Sequence, residues 1–117
     1  MMFDGVLKIH ENALRIRESR SEILSQNIAN ADTPGYKARD INFHDVLAQS
    51  ISGDELNTSM HDQDFFYRVP NQPSLDGNTV DEHLEQAEFS KNSLEYMTSL
   101  ELLRLKFSGL SSVIRGE

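Results

Sequence analysis

From Phe3 to about Asn30 the apolar residues recur at intervals of three and four. Val6, Ile9, Ala13, Ile16 and Ile23 fall on one line, interrupted by Arg20, and Leu7, Leu14, Leu24 and Ile28 widen the stripe. This spacing predicts an amphipathic helix, about 40 Å long at about 1.5 Å per residue. A second periodic stretch runs from about Val80 to Arg115, with a seam of Phe89, Tyr96, Leu100, Leu103, Phe107, Leu110 and Ile114. After the first interval of seven, every step is three or four, as on a coiled-coil or bundle face. Asp76-Gly77 turns the chain before it, and Thr79 with Glu82 fits a capping box. Gly109 and Gly116 weaken its last turns.

Between these stretches the pattern is thinner. Asn42 is placed to cap a short helix over residues 43–51, with Val46, Leu47 and Ile51 on one side and Ser52-Gly53 ending it. Residues 53–79 hold Pro70, Pro73, Gly77 and several Asn and Asp, without sustained periodicity. The aromatic patch Phe65-Phe66-Tyr67 argues against a fully disordered linker. The segment is long for a structureless loop, so either it folds against a partner or it is mobile in the free chain. The expected fold is all-α: long N-terminal and C-terminal amphipathic helices packed as a coiled-coil hairpin or bundle, joined by a largely irregular middle with one short helix. Residues 1–36, 37–79 and 80–117 are the corresponding units. Two long helices bury one stripe each, a small core that is marginal without a staple or further chains.

Composition narrows the function. The chain has 117 residues and neither Cys nor Trp. A disulfide framework and thiolate zinc ligation are therefore excluded. No apolar run is long enough to span a membrane. The N-terminus lacks the basic region and apolar core of a cleavable signal peptide. The net charge of −8 is concentrated in residues 53–88, which hold nine acidic side chains and one basic one, Arg68. Without a basic patch, nucleic acid is not an expected partner. The acidic run itself reads as a solvated surface.

Catalytic chemistry finds no support. His10, His44, His61 and His83 form no HExxH motif and no i, i+4 pair. There is no Gly-x-Ser-x-Gly elbow and no Gly-rich phosphate loop. No catalytic residue, metal ligand or cofactor is assigned.

Two segments are more specified than their local structure requires. The first is Ser25-Gln26-Asn27-Ile28-Ala29-Asn30-Ala31-Asp32-Thr33-Pro34-Gly35-Tyr36. Continuing the Val6–Ile23 line lands on Asn27 and Asn30, where buried polar groups cost stability but fix register and partner choice. Thr33-Pro34-Gly35 then stops the helix. Recognition and ordinary helix termination are both open readings of this motif. The second is the run from Tyr67 to Asp81, containing Arg68 and Pro70. It reads as a rigid loop entering a capped helix, with Arg68 pairing either to a neighbouring acid or to one on another subunit.

The 25–36 motif resembles the N-terminal signature of the bacterial flagellar rod and hook proteins, the flagella basal body rod protein family. Residues 37–43, 68–81 and 92–96 are similar to the proximal rod proteins within it. The likeness covers nearly the whole chain, although residues 48–66 look shortened. It implies a non-enzymatic structural subunit of the basal-body rod that transmits torque, with terminal helices packing into a tube of coiled coils. Implied partners are other copies of the chain, other rod proteins, the adaptor FliE, the membrane-ring base and the flagellar type III export apparatus. The implied location is the periplasmic rod, reached without a cleaved signal peptide.

On this reading the assembly residues are Ile16, Ile23, Asn27, Ile28, Asn30, Thr33, Pro34, Gly35, Tyr36, Arg68, Pro70, Tyr96, Leu100, Leu103, Phe107, Leu110 and Ile114. One rival is a soluble helical adaptor or export chaperone with the same seams. Another is a small helical metal enzyme built on the histidines and acids.

Overall fold

A computed structural model describes residues 2–51, 65–70 and 74–116, with side chains placed from residue 5 onward. Helix α1 covers Met2–Ala29, strand β1 Arg39–Ile41, helix α2 Phe43–Ile51, strand β2 Phe65–Tyr67 and helix α3 Glu82–Arg115. The two long helices pack antiparallel. His10, Arg17, Arg20 and Asn27 of α1 meet Lys106, Glu95, Glu88 and Glu85 of α3 in descending order. The molecule is elongated, 65 Å in its longest extent.

The apolar core is small and lies toward one end of this hairpin. Ile16 and Ile23 from α1, Ile41 from β1 and Val46 from α2 are buried together, with Phe43, Leu47 and Phe65 packed against them. The predicted helix over 43–51 is present, and Asn42 supplies its cap, accepting from the Asp45 N–H at 3.4 Å. The proposed stop at Ser52-Gly53 lies outside the described residues.

The middle of the chain departs from the expected irregular segment. Strands β1 and β2 pair antiparallel with Asp40 opposite Phe66, and Arg68 N–H extends the ladder to the Ala38 carbonyl at 3.0 Å. Three-residue strands leave no readable alternation, and their pairing is distant in sequence.

The start of α3 is also corrected. Asp81, not Thr79, is the N-cap, with extended backbone angles and a side chain that accepts from Leu84 N–H at 3.2 Å. Thr79 is engaged elsewhere, its Oγ1 accepting from Ala38 N–H at 2.8 Å. At the other end, α3 runs through Gly109 to Arg115. Gly116 closes it at φ 72°, its N–H directed to the Ser112 and Val113 carbonyls. A glycine in the left-handed region is the usual solution for a helix C-terminus.

Candidate functional site: a polar junction and an apolar helix face

The two over-specified motifs are each other's partners. An α-helix ends with carbonyls that need donors. At the end of α1 one side chain supplies several: Asn78 Nδ2 donates to the carbonyls of Asn30, Ala31 and Thr33 at 2.8–3.0 Å. Loop 31–38 is then zipped to loop 76–79. Gly35 N–H donates to the Asp76 carbonyl at 2.9 Å, Thr79 N–H to the Tyr36 carbonyl at 3.0 Å, and Lys37 Nζ to the Gly77 carbonyl at 2.6 Å. Gly35 and Gly77 both take positive φ, 75° and 78°. A Cβ on Gly77 would lie 3.6 Å from the Gly35 Cα, so the two turns pack backbone to backbone. The Asp76 carboxyl is held below its usual pKa, chiefly by the Ser74 hydroxyl and then by Asn78 N–H.

Asn27 is fully buried and uses both faces of its amide. Nδ2 donates to the Arg39 carbonyl at 2.6 Å and to Glu85 Oε2 at 2.9 Å. Oδ1 accepts from Arg39 N–H at 3.1 Å and from the Tyr36 hydroxyl at 3.2 Å. In an antiparallel pair, alternate residues direct N–H and C=O away from the partner strand. Arg39 is such a residue in β1, and the Asn27 amide takes the place a third strand would occupy. Asn30 does less. Its Nδ2 donates to the Gln26 carbonyl at 2.8 Å, and its Oδ1 accepts from the Thr33 hydroxyl at 3.1 Å, both at the surface.

Beside Asn27 lies an ionic junction that joins α1, β1, α3 and Arg68, the residue that follows β2. Asp40 accepts from Arg20 through Nε at 2.9 Å and a terminal nitrogen at 3.0 Å, and from Arg68 at 2.6 Å. Its own backbone neighbour Ile41 N–H donates to it at 2.7 Å. Arg68 Nε also reaches Glu85 at 2.6 Å, and Arg20 reaches Glu88 at 2.7 Å. Glu85 is completely buried and Asp40 nearly so. The Arg20 pKa is raised above its ordinary value, first by the hydrogen bond to Asp40 and further by Glu88, against the opposing effect of burial. The choice left open for Arg68 is thus answered within the chain.

Next along the hairpin, Asn92 Nδ2 donates to the Arg17 carbonyl at 2.8 Å and to Ser21 Oγ at 2.7 Å. Arg17 pairs with Glu95 and stacks over the Phe43 ring at 3.9 Å. Arg17 Nε and Asn92 Oδ1 are buried without a hydrogen-bond partner among the described residues. The side chains that α3 buries completely, Glu85 and Asn92, are both polar.

The apolar seam of α3 is only half used. Tyr96, Leu103 and Leu110 are partly buried. Leu100, Phe107 and Ile114, one heptad apart, are 37 %, 54 % and 82 % exposed, so cover is lost toward the open end. Leu94, Met97, Leu102, Leu105 and Val113 are exposed around them. Exposed apolar side chains gathered along one helix in this way mark a candidate interaction surface. Of the other expected assembly residues, Ile16 and Ile23 are in the core, Ile28 and Tyr36 are partly buried, and Thr33, Pro34, Gly35 and Pro70 are exposed.

The expected set omitted Arg17, Arg20, Asp40, Asn78, Glu85, Glu88 and Asn92. Two of the junction's residues left a trace: Arg20 interrupts an apolar line, and Arg68 is the lone base of an acidic segment. Among the described residues, no group of three or more His, Asp or Glu side chains could hold a metal ion. No described helix is long and apolar enough to cross a membrane.

Comparison with known proteins places the chain by its sequence. Residues 7–37 match the family model for the flagella basal body rod protein. The chain is 46 % identical to the flagellar basal body rod protein FlgB of Aeromonas hydrophila, over 98 % of this chain and 96 % of that one. It is 43 % identical to FlgB of Salmonella typhimurium, over 97 % and 95 %. It is 39 % identical to FlgB of Escherichia coli, over 96 % and 94 %. The Salmonella alignment spans 138 positions against 117 residues here, so that relative carries residues this chain lacks.

Proposed function

The chain belongs to the flagella basal body rod protein family and is a structural rod subunit; from that premise we propose that it builds the proximal rod by laying its exposed α3 face against neighbouring subunits. The observation that carries this reading is the contrast between the two ends of the hairpin. At the closed end nearly every buried polar group is satisfied within the chain, leaving little to offer a partner. At the open end Leu100, Phe107 and Ile114 stand uncovered at heptad spacing. Apolar residues in that repeat are satisfied by another helix packing knobs into holes.

In this reading the neighbours are further copies of the chain, other rod proteins, and the adaptor FliE at the membrane-ring base. The assembled tube lies in the periplasm and transmits torque. The subunit reaches it through the flagellar type III export apparatus, and its helices become fully ordered on assembly, when intermolecular burial offsets the ordering cost.

Replacement of Leu103 or Phe107 by Asp places a charge in the seam, where desolvation of an unpaired carboxylate is costly. Cells carrying Phe107→Asp are expected to be non-motile, with the variant chain missing from purified basal bodies. Normal motility would refute the assignment of this face. A wild-type chain found only in the soluble fraction would favour the adaptor or chaperone reading.

A further inference from the structure

The seam and the buried polar groups do different jobs in the hairpin. On α3, Tyr96, Leu103 and Leu110 recur every seven residues, as do Leu100, Phe107 and Ile114. Such a repeat is nearly indifferent to a slide of one heptad. If α3 moved by seven residues against α1, Leu103 would take the place of Tyr96, Leu110 that of Leu103, and Phe107 that of Leu100. These central apolar contacts would each find an apolar substitute.

The polar rungs allow no such exchange. In the observed register Asn27 faces Glu85, Arg20 faces Glu88, Asn92 faces Ser21, and Arg17 faces Glu95. After the same slide Glu95 could replace Glu88. Neutral Asn92 would replace Glu85, however, and Arg68 would lose one of its two carboxylates. Leu102 would replace Glu95 opposite Arg17. A guanidinium left short of its partner in a buried site costs far more than a misplaced leucine. The completely buried Asn92, with one acceptor atom unpaired, has the same character. It is a poor choice for stability and a good one for excluding alternatives.

We propose that Glu85 and Asn92 of α3, with Asn27, Arg20 and Arg17 of α1, are specificity determinants that select one register of the hairpin. By doing so they decide which apolar residues of α3 are left outward for neighbouring subunits. This rests on geometry within one chain, and its test does not require the rod to assemble.

The chain has no cysteine, so two can be introduced as unique labelling sites. Spin labels on Glu22→Cys and Ser108→Cys, both at exposed positions, report the offset of the helices by pulsed electron resonance. Labelled chain is diluted in excess unlabelled chain, at a total concentration and sulfate level that bring out the full helical ellipticity, so that the intramolecular distance of the ordered hairpin is isolated. One distance is expected on the natural background. The Glu85→Leu, Asn92→Leu variant is expected to keep its helical circular dichroism and to add a second distance, about 10 Å shorter, one heptad of rise. A single unshifted distance in the leucine variant overturns the proposal. So does loss of helix in that variant, since the rungs would then supply cohesion rather than choice. So does a natural background that already shows several distances.

Discussion

The two asparagines of the Asn-Ile-Ala-Asn motif are unequal at the level of single side chains. Asn27 satisfies both backbone groups of Arg39, the Tyr36 hydroxyl and part of Glu85. Asn27→Leu would strand several buried groups, at about 1–3 kcal/mol for each left unsatisfied. The expected result is loss of amide-exchange protection at Arg39, whose N–H donates to Asn27, while the outer turns of α1 are unchanged. Asn30→Leu removes two surface hydrogen bonds and is expected to cost less than about 1 kcal/mol. In the junction, Arg68→Met would leave Asp40 and Glu85 short of positive charge, a loss of about 3–5 kcal/mol typical of a broken buried pair. A urea titration followed at 222 nm would measure it. Periodicity could place Asn27 on the buried line, but not its partners. Those lie on loops whose approach depends on Gly35 and Gly77 meeting, a tertiary event with no local signature.

At the level of elements, the parts with many repeated contacts were legible and the parts with few were not. Both long helices show in the spacing of their apolar residues, and α2 shows because Asn42 precedes three apolar positions on one side. The paired strands do not, since each is three residues long. Thr79 looked like a cap because capping chemistry is local, whereas its actual partner, Ala38, is distant in sequence. The open end of the hairpin has its own sensitivity. His10 Nε2 lies 2.7 Å from Lys106 Nζ, an arrangement that needs a neutral imidazole to accept from the ammonium. Burial, and then the Lys106 charge, lower the His10 pKa from its usual 6.5. A group whose folded pKa is depressed favours the folded state while neutral. The contribution is therefore present above pH 6.5 and is lost as the pH falls through the folded value. Amide exchange around His10, corrected for intrinsic rate, is expected to accelerate between pH 7.5 and 5.5, and His10→Gln to remove most of that difference.

For the whole molecule, the distribution of order matters more than its total. Among the described residues, a small core of six buried apolar residues, four of them in one cluster, supports a hairpin that extends well beyond it. The far half of α3 has apolar residues on several sides and little beneath them. In proteins most helical stability comes from packing an amphipathic face rather than from intrinsic propensity. The net charge of −8 adds self-repulsion to the compact state. The free chain at micromolar concentration is therefore expected to show only part of the helical ellipticity that the described helices would give. That signal should rise with protein concentration and with sulfate, which strengthens apolar burial and screens charge. Gly109→Ala offers an independent control. A methyl there meets nothing within 4 Å among the described residues, so it should add about 0.5–1 kcal/mol to α3 without altering any described contact of the monomer. If folding of the open end awaits neighbours, this variant raises the ellipticity of the dilute chain and flattens its dependence on concentration. A natural chain that already melts cooperatively at a high, concentration-independent temperature would mean that the hairpin stands alone, and that the exposed α3 face needs a different explanation.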